Sequence, residues 1–275
     1  VNAWCDLSAL PFLEKLGEFC HGAAAEGNRR VQLIAESDMN MARHILPRHL
    51  GGYGLDAQWS YDFHHALHVL LTGEQQGYYA DYGGVSQFAK VWREGYAYTG
   101  EHSRYRHRRH GSSPHLNPPK QFVVFSQNHD QVGNRRLGDR LGSTLSPAGR
   151  RIAAAAVLLS PFVPLLFMGE EYGETAPFQF FVSHTDPDLV EAVRRGRRAE
   201  FAAFEWEGGV PDPQDEDTFH RSTLNHALAE LADHRSLRAF YRELLALRKR
   251  APAIALVKKE AIETTAFDSE NVLMV

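Results

Sequence analysis

Two carboxylates, Glu36 and Asp130, stand just after short apolar segments and have the chemistry that glycoside hydrolysis requires. In that reaction one carboxyl group protonates the leaving oxygen, and another carboxylate attacks or stabilises the anomeric carbon. Glu36 follows residues 31–35 (VQLIA), and Asp130 follows residues 121–126 (QFVVFS) after the polar stretch QNH. An Asp or Asn after a strand is also a common helix cap, so each position taken alone leaves both interpretations open.

The apolar segments have the length and composition of strands buried in a parallel sheet. They alternate with segments of helical pattern, which predicts parallel pairing through right-handed crossovers. The predicted strands are residues 31–35, 55–59, 121–126 and 163–168, and the predicted helices are residues 11–19, 62–71, 85–94, 147–159, 189–204 and 237–250. A third polar cluster, GEEY at residues 169–172, follows the fourth strand. All three clusters therefore follow the carboxyl ends of strands, where α/β barrels carry their chemistry.

Near Pro252 the sequence pattern changes from strands alternating with helices to strands that follow one another directly. Residues 254–258, 261–267 and 271–275 resemble short strands in succession, without helices between them. We therefore predict one domain over residues 1–251 and the beginning of a small C-terminal β domain over residues 252–275.

Composition excludes two classes of partner. The 275 residues carry a formal charge of −4, so no global basic field is expected to recruit nucleic acid or an acidic membrane surface. The longest apolar run, residues 152–168, is broken by Ser160, Pro161 and Pro164, which argues against a membrane span. The two cysteines, Cys5 and Cys20, form no disulfide framework, which favours the reducing cytoplasm. The chain opens on Val1 without an initiator Met, from which we expect that it begins inside a longer gene product or after cleavage.

Four motifs together resemble the α-amylase superfamily of glycosidases, and within it the branch that releases trehalose from maltooligosaccharides. They are LIAESD at residues 33–38, GLDAQW and DFHH at residues 54–59 and 62–65, QNHDQVGN at residues 127–134, and FMGEEYG at residues 167–173. The Asn-His-Asp element indicates only the superfamily, whereas the QW and DFHH segment and the GEEYGE element at residues 169–174 narrow the resemblance to this branch. It covers nearly the whole chain from about Leu10.

The resemblance implies a fold and a set of roles. The fold is α/β: the second half of a (β/α)8 TIM barrel, followed by the start of the small β domain. Glu36 matches the general acid/base of the superfamily, and Asp130 matches its third catalytic carboxylate. His129 and Asn128 match substrate contacts. The nucleophilic Asp of the superfamily lies on the strand before Val1 and has no counterpart in this chain.

The implied reaction is a retaining double displacement, in which Glu36 first donates a proton and then activates water. The implied substrate is a maltooligosaccharide with a terminal trehalose, cut at the α-1,4 bond next to the trehalose. This chemistry requires neither a metal nor an organic cofactor. The expected partners are the substrate and the missing N-terminal half of the same protein, and neither nucleic acid nor a membrane.

Further substrate contacts are expected at Asp62, Trp59, Tyr105, Arg106 and Tyr172, with Asp62 and Tyr172 near the rim of the site. Trp59 and Tyr172 are equally typical of stacking platforms and of barrel core. His64 and His68 are four residues apart on a helix but lack an evident third metal ligand. Two other functions stay open: another α-1,4-glucan enzyme, such as a branching enzyme or an amylase, and a non-catalytic fragment, because the nucleophile is absent.

Overall fold

The computed structural model of the protein describes residues 6–202 and 209–275 and groups the chain into two compact units. The first unit runs to Phe125 and adds Val157–Leu165 and Arg248–Val275. The second comprises Ser126–Ala156 and Leu166–Leu247. Cys5 and the predicted helix end at Phe204 lie outside the described residues, whereas Cys20 is a free thiol.

The first unit contains a four-stranded sheet, which confirms the predicted parallel pairing. Its strands are β1 (Ile34–Ala35), β2 (Ala57–Trp59), β5 (Phe122–Val124) and β6 (Val163–Pro164), in the order β1-β2-β5-β6. Every adjacent pair is parallel. The order follows the sequence, as expected when each strand is joined to its neighbour by a crossover.

The strands are shorter than the sequence predicts, and side chains explain part of the difference. At the start of β1 the backbone N–H of Leu33 donates to the carboxylate of Asp56 over 2.7 Å instead of to a neighbouring strand. At β6 the N–H of Leu165 makes a last hydrogen bond to the carbonyl of Val124 in β5, and the chain then turns at Gly169, whose φ is 88°. The sequence predicts that residues 163–168 are buried on both faces of the sheet. In the structure Val163 and Met168 are 39% and 46% exposed, so these two residues do not fit that prediction.

The first unit also contains longer helices between residues 6 and 125. They are α1 (Phe12–Glu26), α2 (Tyr61–Thr72) and α3 (Val85–Glu94), of which α2 packs against β5. Ser60 caps α2 by accepting from the N–H of Phe63, as N-cap serines commonly do. The fully buried ring of Phe63 contacts Phe88 of α3 and Phe162 edge-on. Gly95 ends α3 with φ 93°, and a side chain there would collide with the ring of Phe122.

A hairpin of two short strands, β3 (His102–Ser103) and β4 (Arg108–Arg109), stands in the excursion between α3 and β5. The α-helices described between β5 and Arg250 are α4 (His129–Gly133), α5 (Leu141–Thr144), α6 (Pro147–Leu158), α7 (Pro187–Ala202), α8 (Glu216–Arg221) and α9 (Ala232–Arg250). The predicted helices 147–159 and 85–94 agree with α6 and α3 to within one residue. In the part of the chain that is described, no helix combines the length and apolarity needed to cross a bilayer.

The C-terminal segment differs from its prediction at one element. The stretch predicted as a strand at residues 254–258 begins instead within the short helix α10 (Pro252–Ala255), because Pro252 takes a first helical position. Strands β7 (Thr265–Phe267) and β8 (Val272–Met274) form an antiparallel hairpin. Asp268, between them, accepts hydrogen bonds from the N–H and the hydroxyl of Ser86 in the first turn of α3. The domain boundary at Pro252 stays a prediction.

Candidate active site

Glu36 follows β1 directly and its side chain is exposed. The hydroxyl of Tyr61 donates a hydrogen bond to Oε1 of Glu36 over 3.2 Å. Tyr61 is the first residue of α2 and is 7% exposed, with its ring packed edge-on against Phe125. The start of α2 therefore places the Tyr61 hydroxyl against the Glu36 carboxylate, while Glu36 stays exposed to solvent. A carboxylate in this position is accessible to a substrate.

A second carboxylate stands two residues beyond Glu36. Oδ2 of Asp38 accepts from Nη2 of Arg106 over 2.6 Å. The Arg106 side chain is 12% exposed and that of Asp38 is 36% exposed. This ion pair ties the loop after β1 to the β3–β4 hairpin. Sequence reasoning named Arg106 as a substrate contact, whereas Asp38 entered it only as a member of the LIAESD motif, without a role.

Asp62 is buried inside the first unit, whereas the sequence analysis expected it near the rim of the substrate site. It is 1% exposed and accepts from the N–H groups of Ala97 and Tyr98 at 2.6 and 2.9 Å. Asn40 and the hydroxyl of Tyr82 also donate to it. Burial, followed by the charge of Asp62, raises the pKa of Tyr82 well above its usual value. Asp62 thus organises the loop after α3, and its predicted sugar contact has no support in the described residues.

The aromatic candidates of the first unit have different surroundings. Trp59 is partly exposed and packs against Tyr61 and Phe125 at centroid distances of 6.4 and 5.6 Å. Tyr105 is 46% exposed and meets the ring of Tyr78 edge-on at 6.4 Å. Trp59 therefore contributes to packing, whereas Tyr105 presents a ring to solvent.

The histidines of α2 belong to a packed aromatic cluster. His64 hydrogen bonds to the Tyr79 hydroxyl at 2.9 Å, and His68 pairs with Glu74 at 2.8 Å. Burial holds the pKa of His65 well below its usual value. Within residues 6–202 and 209–275, no group of three His, Cys, Asp or Glu side chains is arranged to hold a metal ion. Sequence reasoning missed this cluster because its tyrosines follow in a separate segment.

The second unit holds the predicted Asn-His-Asp group. Asn128 is the N-cap of α4, since its Oδ1 accepts from the N–H groups of Asp130 and Gln131. Its Nδ2 is buried and has no hydrogen-bond partner among the described residues. His129 is exposed, and Asp130 is partly exposed and accepts from Asn134 at 2.6 Å. The helix-cap interpretation thus holds for Asn128, and the His129 and Asp130 side chains remain accessible.

The GEEY cluster forms a 3-10 turn, Glu170–Tyr172, whose side chains are largely internal. Tyr172 is 3% exposed and donates to Glu174 over 2.9 Å, so the ring is core and not a platform in the described unit. Burial raises the pKa of Glu170 to about 8. Ser126 and Gln127 donate to Glu170 at 3.3 and 3.4 Å. Sequence reasoning noted this Glu only as part of a polar cluster.

Comparison with solved structures indicates the class of protein to which this fold is similar. The chain is similar to a solved structure assigned as an α-amylase from Salmonella typhimurium, with 39% identity and a TM-score of 0.83 over 94% of this chain and 44% of the other. The fold of this chain is therefore similar to part of an α-amylase-type structure.

Proteins of similar sequence indicate a more specific group of relatives. The chain is 48% identical to the malto-oligosyltrehalose trehalohydrolase of Arthrobacter ramosus and 46% identical to that of Rhizobium sp. strain M-11, over 258 residues in each case. These matches take in 93% of this chain, and 45% and 43% of the two relatives. The chain is thus related to malto-oligosyltrehalose trehalohydrolases and spans less than half of their length. No family model matches the sequence.

Proposed function

We propose that the whole protein containing this chain hydrolyses the α-1,4 bond next to the trehalose end of maltooligosyltrehalose and releases trehalose. The identity of 46–48% to named trehalohydrolases over 93% of the chain carries this proposal. The exposed Glu36, with Tyr61 donating to it, supplies a group suited to proton transfer.

In this proposal Glu36 is the general acid and then the general base of a retaining mechanism. As an acid it protonates the glycosidic oxygen of the departing trehalose, and as a carboxylate it activates water against a glycosyl-enzyme ester. The nucleophile comes from a part of the protein outside these 275 residues. Asp130 and His129 bind hydroxyls of the sugar being cleaved, and the unpartnered Nδ2 of Asn128 is a further donor. Trp59, Tyr105 and Arg106 are the remaining proposed contacts.

The test is product analysis with the whole protein. Maltotriosyltrehalose is incubated with enzyme, and trehalose and maltotriose are expected in equal amounts. The matched substrate is maltopentaose, which has the same number of glucose units but a reducing end. Trehalose as a minor product, with random internal cleavage of both substrates, would contradict the proposal.

An α-amylase activity is the second candidate, since the Salmonella structure to which the chain is similar is assigned as one. The same assay separates the two, because an amylase cleaves maltopentaose at least as fast as maltotriosyltrehalose.

The chain of 275 residues alone is proposed to be inactive. Glu36 and Asp130 lack the attacking carboxylate that a retaining mechanism requires. Exposed Ile34 and Val163 on the two edge strands of the sheet invite association with other chains. Light scattering and the trehalose assay on the purified chain test both statements. A monomeric chain that releases trehalose at the rate of the whole protein would refute them.

A further inference from the structure

The carboxylate of Asp130 is bonded to an asparagine one helical turn further along the chain. Oδ1 of Asp130 accepts from Nδ2 of Asn134 over 2.6 Å. Asn134 is the C-cap of α4, and its backbone N–H also donates to the carbonyl oxygen of Asp130 over 2.9 Å. Side chains four residues apart on a helix are neighbours. The short helix α4 therefore places the Asn134 amide next to the Asp130 carboxylate.

An arginine of α7 determines which way the Asn134 amide points. Nη1 of Arg197 donates to Oδ1 of Asn134 over 3.0 Å, and Nη2 donates to the carbonyl oxygen of Gly133 over 2.8 Å. An amide side chain has an oxygen that accepts and a nitrogen that donates, whereas a guanidinium only donates. Arg197 therefore binds the oxygen of the amide and leaves its nitrogen to donate to Asp130.

The position of Arg197 is itself fixed within the second unit. In residues 187–199, the part of α7 whose side chains are described, none is buried. Arginines of this helix are bonded to other segments instead. Nη2 of Arg194 lies 2.8 Å from Oδ2 of Asp212, and the guanidinium of Arg197 lies 4.7 Å from the centre of the Phe180 ring. The aromatic face and the two hydrogen bonds together define where Arg197 stands.

We infer that Arg197 is a positioning residue that orients Asp130 through the amide of Asn134. Helix α7 thereby contributes to turnover although it carries none of the proposed substrate contacts. The inference rests on the proposed function, in which Asp130 binds hydroxyls of the sugar being cleaved.

The orientation of the amide has a consequence for the reaction. Without Arg197 the amide can turn its oxygen toward Asp130, and two acceptors then face one another. The carboxylate would move away from this position, and hydrogen bonds to the sugar that strengthen in the transition state would be weakened. A displacement of about 1 Å can lower a rate by about 10²-fold. The loss should therefore be found in kcat more than in KM.

The experiment measures kcat and KM of the whole protein on maltotriosyltrehalose for variants at the two positions. Arg197→Met removes the donors and should lower kcat by about tenfold or more, with KM changed by less than about threefold. Arg197→Lys retains a group that only donates, and it should recover most of the lost kcat. Asn134→Asp keeps an acceptor for Arg197 but offers Asp130 no donor, so it should lower kcat as much as Arg197→Met.

A double variant tests whether Arg197 acts through Asn134. In a protein that already carries Asn134→Ala, the change Arg197→Met should lower kcat little further, because the amide that it orients is absent. Losses that multiply in the double variant would show that the two residues act independently, and they would overturn the inference.

Arg195→Met is the matched control, since Arg195 is an exposed arginine of the same helix, and it should leave both constants unchanged. A normal kcat for Arg197→Met or for Asn134→Asp, or no recovery with Arg197→Lys, would also overturn the inference. If Arg197→Met does not fold, Asn134→Asp decides alone, because it keeps the contact with α7. A wild-type protein that releases no trehalose refutes the proposed function itself, and this is seen before any variant is compared.

Discussion

The hydroxyl of Tyr61 lies 3.2 Å from Oε1 of Glu36 and donates to it. Tyr61 is anchored by its position at the start of α2 and by the edge-on ring of Phe125. A fixed donor limits the rotation of an exposed carboxylate. It therefore orients the lone pairs or the proton of Glu36 toward one direction.

Tyr61→Phe removes this donor and keeps the ring. We expect kcat of the whole protein to fall by about tenfold, with KM little changed, because an orienting hydrogen bond acts on the reacting group. Steady-state kinetics on maltotriosyltrehalose provide the measurement. A normal kcat would show that Glu36 needs no help from Tyr61.

Glu36→Gln should reduce turnover by about 10²- to 10⁴-fold or more while substrate binding is retained, since the amide can neither donate the proton nor act as a base. Turnover and equilibrium binding of substrate are measured on the same preparation. Glu26→Gln, at an exposed position at the end of α1, is the control and should behave as wild type. Near-normal turnover of the Glu36 variant would remove the acid/base assignment.

Asp62→Ala should destabilise the protein by about 2 kcal/mol or more, because the buried N–H groups of Ala97 and Tyr98 would lose their acceptor. Asp62→Asn keeps one oxygen and should cost less. Chemical denaturation measures both. If Asp62 instead serves the substrate, the alanine variant would keep its stability and lose binding.

Glu170→Gln should change how stability depends on pH. In the folded protein the pKa of Glu170 is raised from 4.5 to about 8 by burial. Its contribution to stability is therefore fully present below pH 4.5 and is lost as the pH rises through about 8. The Glu170→Gln variant has no carboxyl group to titrate, so its stability does not fall in this way. The difference in Tm between the variant and the wild type should therefore grow as the pH rises from 4.5 to about 8. Parallel Tm curves for the two proteins would contradict the assignment, and Glu216→Gln at an exposed site is the control.

Arg248→Met should lower stability strongly. The guanidinium donates to the carbonyl oxygens of Leu158, Ser160 and Phe162, where the chain leaves α6 and enters β6. Each buried carbonyl left without a donor costs about 1–3 kcal/mol. Lys249→Met, at the adjacent exposed position, is the control and should shift Tm little. Similar Tm values for the two variants would show that these contacts contribute nothing.

The order of elements was predictable because hydrophobic patterning reflects burial directly. Helix α3 was predicted at its observed bounds, and the four parallel strands were all anticipated. Strand lengths were not, since they depend on side chains that take over backbone hydrogen bonds, as Asp56 does at Leu33. The C-terminal helix α10 was missed because its isoleucine and alanine residues suit a strand as well as a helix.

The sequence likewise predicted the surroundings of some candidate site residues and not of others. Sequence reasoning named Glu36 from the LIAESD motif and Arg106 as an expected substrate contact outside the motifs; Glu36 is accessible, and Arg106 is directed to the loop after β1. The motifs could not tell that Asp62 and Tyr172 are internal, because exposure of a polar side chain is set by segments distant in sequence. Asp38 was noted only as part of the LIAESD motif, and Asp81, whose carboxylate fixes the turn of the β3–β4 hairpin, was missed because a single Asp in a loop carries no periodic signal. Because Glu36 and Asp130 both follow the carboxyl ends of predicted parallel strands, the sequence predicts that they line one cavity, and this stays a prediction.

The contact between Ser86 and Asp268 spans 182 residues of sequence. Helix α3 is therefore without this acceptor at its N-terminus until the β7–β8 hairpin has been synthesised. On the ribosome, the first unit would remain incomplete throughout translation of the intervening segments and would require protection from premature aggregation. Truncations before Asp268 should accordingly give chains that chaperones retain.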